Sequence, residues 1–179
     1  MRYLTAASLL TAIATTLAAP AAWACMDFEA LSPTESSQLL AAAEKHLEDG
    51  QPQAVIDLLA YTPEMSSWRH GNKRMELVAI ASIRLGKVDR GVRALRALLR
   101  KTPDDPFLLA RLAEGLGRSK HGKAEALAIL ERLDQQDLMP DALGYAVLAQ
   151  LLPAGKGATQ AVARCEQRAL KKSDCTLGS

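Results

Sequence analysis

Apolar residues recur at intervals of three and four along most of the chain, which is the spacing of one face of an α-helix. The clearest stripe runs through Val88, Val92, Leu95 and Leu99. No segment alternates apolar and polar residues over the length of a strand. The pattern therefore predicts an all-α protein.

Capping and turn residues divide this pattern into consecutive helical pairs. Ser32-Pro33-Thr34-Glu35 has the form of a capping box with proline at the first helical position, and Gly50 ends the helix that follows. Its partner helix is predicted over 53–61. Three further pairs are predicted over 73–85 with 88–101, over 106–118 with 123–133, and over 140–152 with 159–170.

The first 24 residues differ from the rest of the chain. Arg2 is the only charge before Asp27, and the apolar stretch over 4–17 is shorter than the ~20 residues of a membrane span. It ends in Ala22-Trp23-Ala24, a small-x-small cleavage pattern. We therefore expect a cleaved signal over 1–24 rather than an uncleaved anchor. The mature protein is expected to be exported, either to the periplasm or to the cell envelope as a membrane-anchored protein. An N-terminal extension over 25–33, a helical domain over 34–170 and a tail over 171–179 are predicted to follow.

The three cysteines are an odd number for a chain in an oxidising compartment. Pairing Cys165 with Cys175 closes a short loop and leaves the Cys25 thiol free. Cleavage after Ala24 makes Cys25 the first residue, and a cysteine at this place resembles a bacterial lipoprotein signal, although Ala22 and Trp23 depart from its usual pattern. The resemblance implies membrane attachment through a lipid on Cys25. Without lipidation, Cys25 could instead pair with either of the other two.

A unit of 34 residues, from about Asn72 to Asp105, contains small residues, a turn glycine and a closing proline at regular positions of two consecutive helices. The positions concerned are Ala79, Gly86, Gly91, Leu95, Leu98 and Pro103. This unit resembles a tetratricopeptide repeat. The resemblance implies a right-handed solenoid of about four antiparallel helical hairpins, with the first helices lining a groove for an extended peptide or a partner's helix. It assigns this lining to Lys73, Glu76, Ile80 and Ile83.

Charge is distributed unevenly along the chain. Eight acidic residues over 27–64 accompany a single base, and ten bases over 69–101 accompany two acids. Arg93, Arg96 and Arg100 form a basic face opposite the apolar stripe of their helix. Such a face can attract an anionic partner or pair with the acidic half of a second subunit, but it is most often a solvated surface.

The sequence contains no recognisable catalytic or metal-binding pattern. His46, His70 and His121 fall in three different pairs and lack zinc-ligand spacing. There is no Gly-x-Ser-x-Gly motif, and no aromatic residues interleave with the basic face. We therefore expect no enzymatic activity, no metal, no cofactor and no nucleic-acid partner. Trp68 is expected to fill the gap between the first and second pairs rather than to anchor a ligand.

These patterns favour a non-catalytic adaptor that positions another envelope protein or peptide. Tetratricopeptide lipoproteins of pilus and secretion assemblies, which the chain resembles, act in that way. The alternative is a binding protein for an anionic cell-wall fragment or lipid headgroup through the basic face. A third hypothesis is self-assembly through the acidic and basic halves.

Overall fold

The computed structural model describes residues 30–170 and Cys175. This part of the chain is all-helical and contains no strand, which confirms the predicted fold class. The predicted signal over 1–24, Cys25 and most of the 171–179 tail lie outside the described residues. The helices are α1 (Pro33–Glu48), α2 (Pro52–Ala60), α3 (Trp68–Arg84), α4 (Val88–Leu99), α5 (Pro106–Arg118), α6 (Lys123–Gln135), α7 (Ala142–Leu151) and α8 (Lys156–Arg168). Over the described range, none of them is both long and apolar enough to cross a membrane.

The N-terminal cap of α1 has the predicted geometry. The Glu35 amide donates to Ser32 Oγ over 3.3 Å, and the Ser32 amide donates to Glu35 Oε2 over 2.9 Å. Each bond satisfies an amide that the first turn of a helix leaves without an intrahelical acceptor. The capping box therefore fixes where α1 begins.

Two helices begin earlier than the sequence pattern predicted. α3 begins at Trp68 rather than at residue 73, because Ser67 Oγ accepts a hydrogen bond from the His70 amide and caps an additional turn. α8 begins at Lys156 rather than at 159, so that it includes Gly157. Gly86 has φ of +78°, a left-handed conformation that favours glycine, and it turns the chain from α3 into α4.

Helices that follow each other in sequence pack together, and α1, α3, α5 and α7 also make contacts along their own series. One apolar core joins α1, α2 and the middle of α3, and a second extends from the end of α3 to α8. Close approach in the second core depends on small residues. A Cβ on Gly91 would lie 2.6 Å from the Ala79 carbonyl oxygen, which is closer than real contacts allow.

The disulfide predicted between Cys165 and Cys175 is present, with Cα atoms 5.8 Å apart. Cys165 lies on α8, and both cysteines are buried in the second core. The bond ties the chain beyond α8 back to that helix. In chain-entropy models a short closed loop of this kind stabilises the fold by ~3 kcal/mol.

Candidate binding cavities

Among the described residues, a cavity of about 540 Å³, called here the main cavity, lies between several helices. α1, α3, α5 and α7 all contribute to its wall, together with the segment from Arg168 to Leu170 at the end of α8. Its volume lies within the range of ligand-binding clefts. The lining residues are Glu44, Leu47, Glu48, Lys73, Glu76, Leu77, Ile80, Arg84, Phe107, Arg111, Asp141, Ala142, Leu143, Arg168, Ala169 and Leu170.

The structure brings three of the four residues expected in the groove to this wall. Lys73, Glu76 and Ile80 line the main cavity, but Ile83 does not. Ile83 is 1 % exposed and lies in the second core, where its side chain occupies the space beside Gly91 and Gly115. Positions three residues apart on a helix differ by about 60° around its axis, and this difference turns Ile83 from the cavity to the interface with α4 and α5.

A buried carboxylate organises the charges behind the main cavity. The Glu114 side chain is 3 % exposed and lies among three arginines. Arg118 Nη2 is 3.0 Å from Glu114 Oε1, Arg111 Nη1 is 3.4 Å from Oε2, and Arg84 Nε is 3.9 Å from Oε1. Arg84 Nη1 also donates to the Leu47 carbonyl over 2.7 Å. This arginine cluster therefore links α5 to α3, and α3 to the end of α1.

Arg111 is the most enclosed cation of the cluster, and it lines the main cavity. Its guanidinium carbon lies 4.7 Å from the centre of the Phe107 ring, and Nη2 donates to Asp141 Oδ2. Asp141 also caps α7 by accepting from the Gly144 amide over 3.0 Å. Burial lowers the pKa of Arg111 from its ordinary value, while the neighbouring Glu114 carboxylate opposes that shift.

Lys73 holds two carboxylates at the opposite side of the main cavity. Its Nζ lies 2.8 Å from Glu44 Oε1 on α1 and 2.7 Å from Glu76 Oε1 on its own helix, and 5.5 Å from the Phe107 ring centre. Partial burial lowers the pKa of Lys73, but the hydrogen bonds to Glu44 and Glu76 outweigh it, so that the pKa is raised overall. The cavity wall thus contains both signs of charge, largely paired with each other.

A second cavity of about 380 Å³, called here the Trp68 cavity, lies at the start of α3. It shares Lys73 and Glu76 with the main cavity. The expectation that Trp68 would pack between the first two helical pairs is wrong, because its side chain is 71 % exposed at the rim. As the first residue of α3, Trp68 projects beside the cavity rather than into either core.

The predicted basic face lies elsewhere on the surface. Arg93, Arg96 and Arg100 are all exposed, and none of them lines either cavity. Arg96 Nη2 donates to both oxygens of Glu125 on α6, over 2.7 and 2.9 Å. Part of the positive charge of this face is therefore neutralised by a carboxylate that the sequence analysis did not pair with it.

Sequence reasoning missed Arg111 and Asp141, which line the main cavity, and Glu114, which is buried behind it. The available signal was Asp141, because an acidic residue just before an apolar helix suggests a cap. Across residues 30–170 and Cys175, no group of three histidine, cysteine or acidic side chains is arranged to hold a metal ion.

The described part of the chain is therefore an all-α protein with a cavity of mixed charge, which is lined mainly by α1, α3, α5 and α7. The chain matches no protein-family model, no curated protein and no solved structure.

Proposed function

We propose that this protein is a non-catalytic adaptor of the bacterial cell envelope whose main cavity holds an extended segment of a partner protein. In this proposal the helical pairs form a right-handed solenoid of antiparallel hairpins, similar to tetratricopeptide repeats. The contacts between sequence neighbours, and those among α1, α3, α5 and α7, support that arrangement.

The observation that carries the proposal is the composition of the main cavity. Leu77 and Ile80 supply buried apolar surface, and carboxylates and cations from α1, α3 and α5 surround it. An extended peptide presents apolar side chains, amides and charges along one line, so it suits a wall that offers all of these partners. A purely apolar ligand would leave the charged groups desolvated without new partners.

The arginine cluster supports binding rather than catalysis. Glu114 is engaged by three arginines, and Arg111 is engaged by Glu114 and Asp141. Groups held in this way give a cavity a fixed shape and a fixed field before a ligand arrives. Such preorganisation lowers the cost of ordering the site on binding.

Two features support a place outside the cytoplasm. The first 24 residues have the order of a secretory signal, and the disulfide between Cys165 and Cys175 is of the kind that persists in oxidising compartments. In this proposal Cys25 becomes the first residue and carries a lipid that holds the protein at the membrane. Pilus and secretion assemblies are the partners that the tetratricopeptide resemblance suggests.

The second candidate function is binding of an anionic cell-wall or lipid ligand through Arg93, Arg96 and Arg100. It is favoured by one observation: within the described part of the chain, Arg93 and Arg100 form no ion pair. Binding through such exposed cations should weaken steeply with ionic strength, because salt screens exposed charges at separations of ~10 Å. Binding in the main cavity should change less.

The test is in-cell crosslinking followed by capture of the tagged protein, with three variants compared. Leu170→Glu adds a charge at the rim of the main cavity, on a fully exposed residue. Leu138→Glu is the matched control, because Leu138 is also exposed but does not line this cavity. Arg93→Glu/Arg100→Glu tests the basic face.

The adaptor proposal expects one reproducible protein partner that is lost in Leu170→Glu and retained in the other two variants. If the partner is lost only in Arg93→Glu/Arg100→Glu, the basic face and not the main cavity is the binding site. Equal capture by all variants would reject both cavity and face as the binding site.

A further inference from the structure

The Trp68 cavity has an apolar wall that no other part of the described chain covers. Trp68 stands at its rim, and Leu98 from α4 and Leu108 from α5 lie deeper in the wall. Both leucines are buried, whereas the tryptophan is 71 % exposed. An exposed tryptophan beside a cavity of about 380 Å³ is the arrangement of a binding anchor, because tryptophan contributes strongly to binding when a partner covers it.

Two cations at the same cavity have no carboxylate partner. The Arg69 guanidinium carbon lies 5.6 Å from the centre of the Trp68 ring, and Lys101 Nζ lies 3.1 Å from Asn72 Oδ1. Over residues 30–170, neither Arg69 nor Lys101 forms an ion pair. Lys73, which also lines this cavity, is by contrast held by Glu44 and Glu76. The cavity lining also includes Asp105, whose carboxylate accepts from the Leu108 amide as the cap of α5. The lining thus has three cations and two carboxylates, which leaves one unit of excess positive charge beside its apolar surface.

We propose that the Trp68 cavity is a second subsite for the partner segment and that it selects an aromatic or large aliphatic side chain flanked by carboxylates. The apolar side chain lies between Trp68 and Leu108, and the carboxylates meet Arg69 and Lys101. This inference rests on the proposed function, and it specifies the chemistry of the partner as an acidic peptide segment.

The position of Lys73 and Glu76 supports a single ligand across both subsites. Both residues line the Trp68 cavity and the main cavity, so the two cavities adjoin along α3. In this proposal the extended chain passes from one cavity to the other along the Lys73 and Glu76 side chains. Because the two residues already pair with each other, they form a neutral divider between the subsites.

The experiment measures binding of short fluorescein-labelled peptides to the purified protein by fluorescence anisotropy. The first peptide has phenylalanine flanked by glutamates, the second has alanine in place of the phenylalanine, and the third has lysines in place of the glutamates. The variants are Trp68→Ala, Lys101→Glu and the control Arg90→Glu, which makes the same charge change at an exposed residue of α4 outside both the cavity and the basic face.

Trp68→Ala is expected to weaken binding of the first peptide by about tenfold or more, since a covered tryptophan is among the largest contributors to an interface. Lys101→Glu should weaken it by about fivefold in low salt, and less in high salt. Arg90→Glu should leave it within about twofold. The second and third peptides should bind the wild-type protein at least about tenfold more weakly than the first.

Two results would overturn the inference: no measurable binding of the first peptide, or binding that is equal for all three peptides and unchanged in Trp68→Ala. Repeating the crosslinking capture with Trp68→Ala separates this failure from that of the proposed function. A partner lost in Leu170→Glu but retained in Trp68→Ala would leave the adaptor function standing and remove the second subsite. If neither Leu170→Glu nor Trp68→Ala changes the capture, both the adaptor function of the main cavity and the second subsite are rejected.

Discussion

Two groups of arginines on neighbouring helices have the same charge but carboxylate partners of very different burial. Arg84, Arg111 and Arg118 surround Glu114, whose side chain is 3 % exposed. On α4 the exposed arginines include Arg96, which pairs with Glu125, a residue whose side chain is 49 % exposed. Water and salt can replace the second pairing but cannot easily replace the first. The basic stripe that is obvious in the sequence is therefore the weaker candidate for a specific site.

The largest expected difference between the groups follows from removing the central carboxylate of each. Glu114→Gln leaves the arginine cluster, with its enclosed Arg111, without its main counter-charge, so it should lower the free energy of unfolding by about 3–5 kcal/mol. Glu125→Gln removes an exposed partner of Arg96 and should lower it by about 0.2–1 kcal/mol. Urea unfolding followed by circular dichroism measures both, and similar losses in the two variants would contradict the comparison.

The next largest effect is expected at Gly115, which allows α5, and with it Glu114, to pack closely against α3. A Cβ on Gly115 would lie 2.8 Å from Ile83 Cδ1 and 2.9 Å from Val92 Cγ2, so Gly115→Ala should push α5 away from α3 and α4. The expected cost is about 1–3 kcal/mol in the free energy of unfolding.

Gly71→Ala is the control for that substitution. Gly71 lies within α3, and a Cβ there meets no heavy atom within 4 Å. The same urea experiment should show a gain of about 0.5–1 kcal/mol, because alanine loses less backbone entropy in a helix. A gain in Gly115→Ala as well would mean that α5 does not need this close approach.

The smallest effect concerns Lys73, whose side chain is 35 % exposed. Its pKa is raised in the folded protein above the ordinary 10.5, so its stabilising contribution is complete below that value and is lost as the pH rises through the folded pKa. The free energy of unfolding should fall as the pH rises above the ordinary 10.5, and it should fall less steeply in Lys73→Met.

Lys45→Met is the matched control for that measurement. Lys45 also forms an ion pair, with Asp49 at 3.3 Å, but its side chain is 72 % exposed. The pH dependence of this variant should therefore follow that of the wild type. A flattened profile in Lys45→Met, or an unchanged one in Lys73→Met, would show that the bonds to Glu44 and Glu76 do not set the high-pH behaviour.

Local sequence signals predicted helices well where the punctuation was complete. The range 106–118 was predicted for α5 and is observed, because Asp105 caps the helix and Pro106 occupies its first position. The start of α3 was missed because Ser67 precedes polar residues, so the apolar periodicity begins a turn after the helix does. The apolar periodicity of a sequence marks positions that become buried, so a first helical turn with exposed side chains cannot be recognised from it.

The candidate sites were predicted less completely, because they depend on contacts between distant residues. Arg111 and Glu114 look like solvated charges in a helical pattern, and only the approach of α3 and α7 encloses them. Ile80 and Ile83 both fit an apolar stripe and both are buried, and only the packing of α4 and α5 shows that Ile83 faces these helices rather than the main cavity. Charge and periodicity identify a helix face, but the neighbouring helices determine its use.

The loop closed by Cys165 and Cys175 has a consequence for how this protein can change over evolutionary time. Ala169 and Leu170 form the edge of the main cavity, and they lie between the two cysteines rather than within a packed helix. Ala169 packs against the second core, but Leu170 is fully exposed, so substitutions of Leu170 leave the helix interfaces intact while the disulfide ties the chain back to α8. Natural selection or an engineer can therefore alter this edge of the main cavity while the rest of the scaffold is inherited unchanged.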